Sequence, residues 1–564
     1  MLLINWIEIP SDTADEGSYA KLCKRFLLEC SQIAPQFVRG ACSSMAERRS
    51  VAAVTRVRFP SGTPKSMTDN RNSLNSFLII ACSLGLGLVF HWLFYDKLVG
   101  ISYPIFIAVV LASYFSLSLY FKTVPGSTSW FLGVAILVFA SFVAVRESMA
   151  LTFFNVVATL CLLLVLAAIS YGQKLRDFEI IDYLKAIFLL PFQFIASIPT
   201  VIANLFVSPE QRQGSKMYPI IRGLVITLPI LIVFILLFSS ADLVFQKYLG
   251  KIFDFDLSEI LPRFFLVAVV TIAFVGAFGY LFQKIHPIAP RPIRGNSNIG
   301  LTEVSILLGA INALFLVFIL VQITYLFGGE DNITKIGFTY AEYARKGFFE
   351  LIAVAAFSFL LVFAVERHVP RSGERHAASF KSLSATLILQ VILIMVSSFK
   401  RLLLYEDAYG FTPDRFYAHA LTVGLGLVFL LLLYKIVFDQ KENRFLFSSF
   451  VLTTLFLVGL NLFNPDSFMA KQNVNQRLAQ NQPQKLDVSS LGRLSTDATY
   501  QMVRLLDFPD KTVRNQAAMM LASDRDNVSG QPWQSFHFGR KRALSIIDAN
   551  SSRITQVLEE GADN

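Results

Sequence analysis

Residues 419–463 read HALTVGLGLVFLLLLYKIVFDQKENRFLFSSFVLTTLFLVGLNLF. Two apolar runs, 419–438 and 445–463, flank a short polar connector. A helix needs about 20 apolar residues to cross the roughly 30 Å of a bilayer's hydrocarbon core, and each run has about that length. The runs are continuous rather than alternating, which excludes the strands of a membrane β-barrel. Lipid offers no partner for free backbone groups, so each run is a helix.

The same pattern recurs at 77–95, 101–121, 128–145, 150–171, 219–240, 263–282, 304–326, 347–365 and 380–399, which makes eleven runs in all. Composition agrees. Of 564 residues, 54% are apolar and 16% are charged, and 53 are Phe. Soluble domains carry about 25% charged residues, so this chain cannot clothe a water-facing surface of its size. The expected fold is an all-α, polytopic transmembrane helical bundle of about 11 spans with a small C-terminal extracytoplasmic helical domain.

One apolar stretch is different. Residues 183–207 (YLKAIFLLPFQFIASIPTVIANLFV) carry Pro191 and Pro199. Each proline removes a backbone donor and kinks or breaks a helix. The stretch reads as a re-entrant or in-plane helix pair, or as a bent twelfth span. Lys174, Arg176 and Lys185 lead into it, and Arg212, Lys216 and Arg222 follow. Basic residues mark cytoplasmic connections, so both flanks read as cytoplasmic and the stretch as non-crossing. The connections 283–303 (Lys284, Arg291, Arg294) and 366–381 (Arg367, Arg371, Arg375, Lys381) also read as cytoplasmic. Connections 327–346 and 400–418 read as external. The map puts the N-terminus on the cytoplasmic side and the C-terminal tail on the extracytoplasmic side of a plasma (inner) membrane.

The expected organisation follows. Residues 1–66 are a mis-annotated or disordered extension. Ser43–Lys65 resembles the peptide obtained when a transfer-RNA gene is translated, and Met67 opens a normal start; a cytosolic tail with a helix near Tyr19–Cys30 is the rival reading. Residues 67–218 hold the first membrane helices and the proline stretch 183–207. Residues 219–463 form the membrane core. Residues 464–485, rich in Asn and Gln, read as a linker. Residues 486–564 form the helical tail domain, with helices expected at Ser495–Phe508 (capped by Ser495), Asp510–Ser523 and Gln534–Ile547, and a loop at Ser523–Gln531.

Net charge is +10, but without a basic, aromatic-interleaved patch, so nucleic acid is not an expected partner. The five cysteines and six histidines show no metal-ligand spacing, and no nucleotide or catalytic fingerprint appears, so no cofactor is expected.

Three segments expected outside carry the unusual chemistry: Tyr325–Glu350 (YLFGGEDNITKIGFTYAEYARKGFFE), Lys400–Tyr417 (KRLLLYEDAYGFTPDRFY) and Asn461–Arg477 (NLFNPDSFMAKQNVNQR). In the first, Glu342, Arg345 and Lys346 share a helix face with Tyr343 beside them, and Glu350 lies four residues beyond Lys346. Glu350 enters the membrane and is expected to face protein or water. In the second, Lys400 and Arg401 end a span, Glu406 and Asp407 follow, and Tyr405, Tyr409 and Tyr417 fit an interfacial aromatic belt. Gly410 and Pro413 break the helix, and Asp414 and Arg415 restart one. In the third, Asn464-Pro465-Asp466 is a stop-and-turn. Inside the spans Asn155, Asn312, Gln322, Gln390 and Asn461 are polar without charge, and interhelical hydrogen bonding is their plain role. The plain reading of the external charges is capping and snorkelling. The functional reading is a recognition face for an envelope protein or a lipid head group.

Together with Leu301–Gln322 (LTEVSILLGAINALFLVFILVQ), these segments resemble an uncharacterised bacterial family of multi-pass membrane proteins, domain of unknown function 4173, related to 4153. The resemblance runs from about Ser215 to Arg477. It implies a multi-pass helical membrane protein and brings no assigned reaction. Three functions compete: a non-catalytic envelope scaffold or sensor, a transporter or lipid translocator, and a membrane enzyme acting on a lipid-linked substrate. The enzyme reading has the least behind it, because nothing in the sequence brings an acid and a base together. Membrane lipids are partners in every case; oligomeric state is open.

Overall fold

The ends of the long helices fall on two faces, one covered by the C-terminal tail and one opposite it. The computed structural model describes residues 65–170, 174–206, 227, 231, 257–283, 301–326, 348–368, 374–479 and 488–562. Ser66–Asn564 is one unit, and all that follows belongs to it. The expected extension 1–66, apart from its last two residues, and most of the expected span 219–240 lie outside the described residues.

The membrane helices are α1 (Lys65–Phe94), α2 (Ser102–Tyr120), α3 (Ser127–Val145), α4 (Met149–Ile169), α5 (Ile180–Leu184, Lys185–Leu189 and Leu190–Phe206 in succession), α6 (Leu257–Phe282), α7 (Leu301–Leu326), α8 (Phe348–His368), α9 (Glu374–Tyr409), α10 (Pro413–Val437) and α11 (Glu442–Phe463). Among the described residues, ten helices are long and apolar enough to cross a membrane. All described elements are helical, so the fold is an all-α, polytopic helical bundle.

Among the described residues two large apolar cores and one small cluster (Ile319, Leu351, Ile394) fill it. The first gathers Leu86, Phe106, Ile136, Phe139, Leu162 and Phe278 from α1–α4 and α6. The second gathers Leu308, Ala355, Leu387, Val391, Phe429 and Leu432 from α7–α10. Helix α11 joins them: Phe450 and Leu457 pack on the first, Phe445 on the second.

The proline stretch departs from its expected broken form. Helix α5 is continuous, with a π-helical turn at Lys185–Leu189 just before Pro191 and with Pro199 inside its last segment. The widened turn takes up the irregularity that Pro191 imposes, so the helix bends instead of ending. Both ends of α5 lie on the face opposite the tail. At its start the Ile180 amide donates to Glu442 (3.4 Å), and Tyr183 packs on Phe450. At its end the Asn204 amide donates to Gln283 (3.3 Å), whose own amide donates to Ser76 (2.7 Å). The last segment runs beside α6, where two glycines allow close approach: a Cβ on Gly276 would stand 2.6 Å from the Phe194 carbonyl oxygen, and one on Gly279 would stand 2.4 Å from Val201. Ser197 Oγ donates to the Gly276 carbonyl across this contact (2.6 Å).

The tail begins earlier than composition suggested. The expected linker 464–485 holds helix α12 (Pro465–Ala479), and Ala470 and Val474, four apart, sit in the tail's own core. Pro at the first helical position and Asp466 in the first turn explain the start. Then come α13 (Val488–Gly492), α14 (Thr499–Arg504), α15 (Lys511–Val528), α16 (Phe538–Ala549) and α17 (Ser551–Ala562). Most of the expected loop Ser523–Gln531 is helix to Val528. Ser495 makes no side-chain cap; Asp510 caps α15 by accepting from Thr512 N–H (2.8 Å) and Val513 N–H (3.2 Å). Leu505, Ala517, Ala518, Leu521 and Ile547 close a core separate from those in the bundle.

Candidate functional site

The tail rests on the ends of the early helices. The Ile101 amide donates to the Phe536 carbonyl (2.8 Å), and the Leu98 amide to Ser535 Oγ (3.0 Å). Gly100 is needed there, because a Cβ would lie 2.3 Å from the same carbonyl oxygen. Trp92 packs against Trp533 with ring centres 5.4 Å apart.

The connection between α3 and α4 supplies the charge. Glu147 accepts from the Thr496 hydroxyl and from Arg540 Nε (2.5 Å). Arg146 lies 3.7 Å from Asp497 and donates Nε–H to the Asn461 carbonyl (2.7 Å). Asp466, at the start of α12, accepts the Ser495 amide (3.0 Å). Burial and the nearby Asp466 and Glu147 carboxylates push Asp497 up to about 6, against the pull of Arg146. The bonds from Thr496 and Arg540 outweigh burial at Glu147 and hold its carboxyl below the usual range. Burial pushes the His537 imidazole down.

Beneath this layer, inside the bundle, two amides face each other. Asn155 Nδ2 donates to Asn461 Oδ1 (2.8 Å) and Asn461 Nδ2 returns the bond (2.9 Å), with both residues fully buried. Helices α7 and α9 are joined in the same way. Asn312 donates to the Leu383 carbonyl (3.0 Å), Gln390 donates to the Asn312 carbonyl (3.2 Å), and Gln322 accepts from Ser397 (3.1 Å) and Arg401.

Of the expected recognition residues, several turn inward. Helix α9 runs on to Tyr409, past the apolar span Ala378–Leu403, so Arg401 lies near the end of the span but is buried within the helix. Glu406 is fully buried and meets His419 Nε2 at 2.9 Å; its other oxygen and His419 Nδ1 have no partner among the described residues. Arg415 stacks over Tyr405 (4.1 Å) and donates to the Gly410 carbonyl (2.5 Å). Gly410 has φ +81°, and Asn473 pins the following Phe411 amide (2.6 Å) and carbonyl (2.8 Å). Asn464 is left-handed (φ 57°) and ends α11, the turn its sequence suggests. Glu350 is exposed in the first turn of α8. Glu342, Tyr343 and Arg345 lie outside the described residues, as does the side chain of Tyr409.

The matching family is now informative. Its model, described as Domain of unknown function (DUF4153), matches residues 132–505. The chain belongs to this family. The match spans two-thirds of the chain and takes in Arg146, Glu147, the Asn155–Asn461 pair, the Glu406–His419 pair and Asp497. It names the family that the resemblance gave as related to 4173, and it begins well before Ser215. No curated protein and no solved structure matches the chain.

Arg146, Glu147, Asp497, Arg540 and His419 were not expected as site residues. Arg146-Glu147 is a charged pair in a very short connection between two spans, and that was the available signal. Nothing in sequence points to their partners, which lie hundreds of positions away.

Proposed function

We propose that this integral membrane protein is a non-catalytic scaffold or sensor of the bacterial envelope, with its tail domain outside and its basic connections inside. One observation carries the reading: the ion-paired seating of the tail on the α3–α4 connection. A partly buried charge pair between a domain and the helix ends can have two states, docked and released, and a partner that favours one shifts the other. On this reading the recognition face is the docked tail with the ends of α9–α12, and its occupant is an envelope protein or a lipid head group. The orientation follows from the basic connections. In the same reading α5 is re-entrant, returning to the inner face.

The test is labelling of single cysteines placed at Tyr500 on the tail and at Lys441 in the opposite connection, in a chain from which all five native cysteines have been removed. A membrane-impermeant maleimide applied to intact cells is expected to reach position 500 only. Labelling at 441 alone refutes the orientation and the outward recognition face with it.

A second reading, a transporter or lipid translocator, draws on the buried Glu406–His419 pair. Titratable groups inside a bundle are costly and often serve ion pathways. Loss of proton-coupled uptake in a Glu406→Gln variant whose tail stays docked would favour it.

A further inference from the structure

On the face opposite the tail, a cavity of about 850 Å³ opens between α2, α3, α4 and α11. That volume lies within the range of small-molecule sites. Its wall has two chemistries. Part of the lining is apolar, with Leu281, Phe282, Phe447, Phe450 and Val451. Another part carries hydroxyls and cations.

The cations are Lys174 and Arg176. Arg176 lies over the Phe447 ring at 5.5 Å, and neither it nor Lys174 forms an ion pair among the described residues. No carboxylate belongs to the described lining. The first turn of α3 enters the same space through Ser127, Thr128 and Ser129, and no side chain caps it. The opening amides of a helix lack intrahelical partners and carry partial positive charge, a setting that suits an anion. Two nearly buried hydroxyls line the cavity as well: Ser118 is 2% exposed and Ser129 is 4% exposed, with no side-chain hydrogen bond of theirs among the described residues. Among the described residues, the lining brings cations, hydroxyls and aromatic rings together with no carboxylate to balance them.

We infer that this cavity binds the phosphate-bearing head group of an anionic membrane lipid. Lys174, Arg176, the Ser129 hydroxyl and the first turn of α3 take the phosphate. Phe282, Phe447 and Phe450 take the upper part of the acyl chains. The apolar floor selects a lipid over a free phosphate ion, which has nothing to bury there. The cations select an anionic over a zwitterionic head group. The site is separate from the tail face and stands whichever way the protein is oriented.

The experiment uses the full chain in detergent and native mass spectrometry, with dioleoyl phosphatidylglycerol, dioleoyl phosphatidylethanolamine and inorganic phosphate as probes. Wild type is expected to retain phosphatidylglycerol in preference to phosphatidylethanolamine. A Lys174→Gln/Arg176→Gln variant is expected to bind it roughly 30-fold more weakly, the loss of two near-surface cations. Two companions keep the result interpretable. Lys174→Arg/Arg176→Lys conserves the charge and is expected to keep binding. Lys441→Gln/Arg444→Gln removes two cations from the same face outside the cavity and is expected to leave binding unchanged. Equal loss in this last variant, equal retention of phosphatidylethanolamine, or full displacement of the lipid by inorganic phosphate would each overturn the assignment.

Discussion

Replacing Glu147 by Gln tests the seating of the tail most directly. The carboxylate is four-fifths buried and holds two donors, the Thr496 hydroxyl and the Arg540 guanidinium, which is itself 15% exposed. The amide keeps one acceptor oxygen but loses the charge. Arg540 then stays shielded from water without its anion. Hydrogen bonds to charged groups contribute about 1.5–3 kcal/mol, so the docked state should lose about 2 kcal/mol. At 1.4 kcal/mol per decade, the released population rises roughly 30-fold. The amides of Leu98 and Ile101 report this, because both donate into the tail. Hydrogen–deuterium exchange of a peptide covering 98–101 should speed up by that factor, and exchange within α15 should not change. Unchanged exchange at 98–101 refutes the reasoning. Equal acceleration in α15 refutes it too, since the tail would then be unfolding and not releasing.

The remaining expectations concern pH, an amide pair and a glycine. Asp497 is raised to about 6 from its ordinary 3.8, so the docked tail binds its proton more tightly than the released one. Its contribution to docking is therefore complete below about 3.8 and lost as pH rises through about 6. Wild type should gain docking relative to Asp497→Asn between pH 7.5 and 4.5; exchange at 98–101 that follows the same pH curve in both proteins would contradict this. His537 and Glu147 act with the opposite sign, each losing its contribution as pH falls, which is why the comparison with the Asn variant is needed. A double-mutant cycle on Asn155→Ala and Asn461→Ala should show a coupling of about 1–2 kcal/mol in detergent unfolding, since membrane hydrogen bonds average about 0.6 kcal/mol and two are shared; strict additivity would mean the amides act separately. Gly276→Val should lower thermal stability, because its Cβ meets the Phe194 backbone and not a flexible side chain; Gly309→Val, with open space at its Cβ, should not, and equal effects would refute the close α5–α6 contact.

The spans were legible because lipid makes composition decisive: a run such as 150–171 has no soluble alternative. The interior amides were legible for the same reason, and Asn155 with Asn461 bonds across helices as a buried amide must. Which helix face meets protein was not legible, since both core and lipid accept Leu and Phe. Proline misled at 191, because a π turn bends a helix without ending it. Composition misled at 472–479, where Gln472, Asn473, Asn475 and Gln476 are half-buried on a helix whose Ala470 and Val474 are buried, and Asn473 holds the Phe411 backbone. The inward turn of Arg401 and Glu406 was hidden too, because their neighbours come from other helices, Gln322 on α7 and His419 on α10. The seating of the tail was the least visible: Glu147 meets residues 349 and 393 positions further on.

That separation has a consequence for biogenesis. The α3–α4 corner leaves the ribosome and inserts long before residues 496 and 540 exist. Until the last helices are made, Glu147 has only water for company, and a prematurely terminated chain would keep its corner bare. Closure of the far end of the molecule thus comes last in its life history.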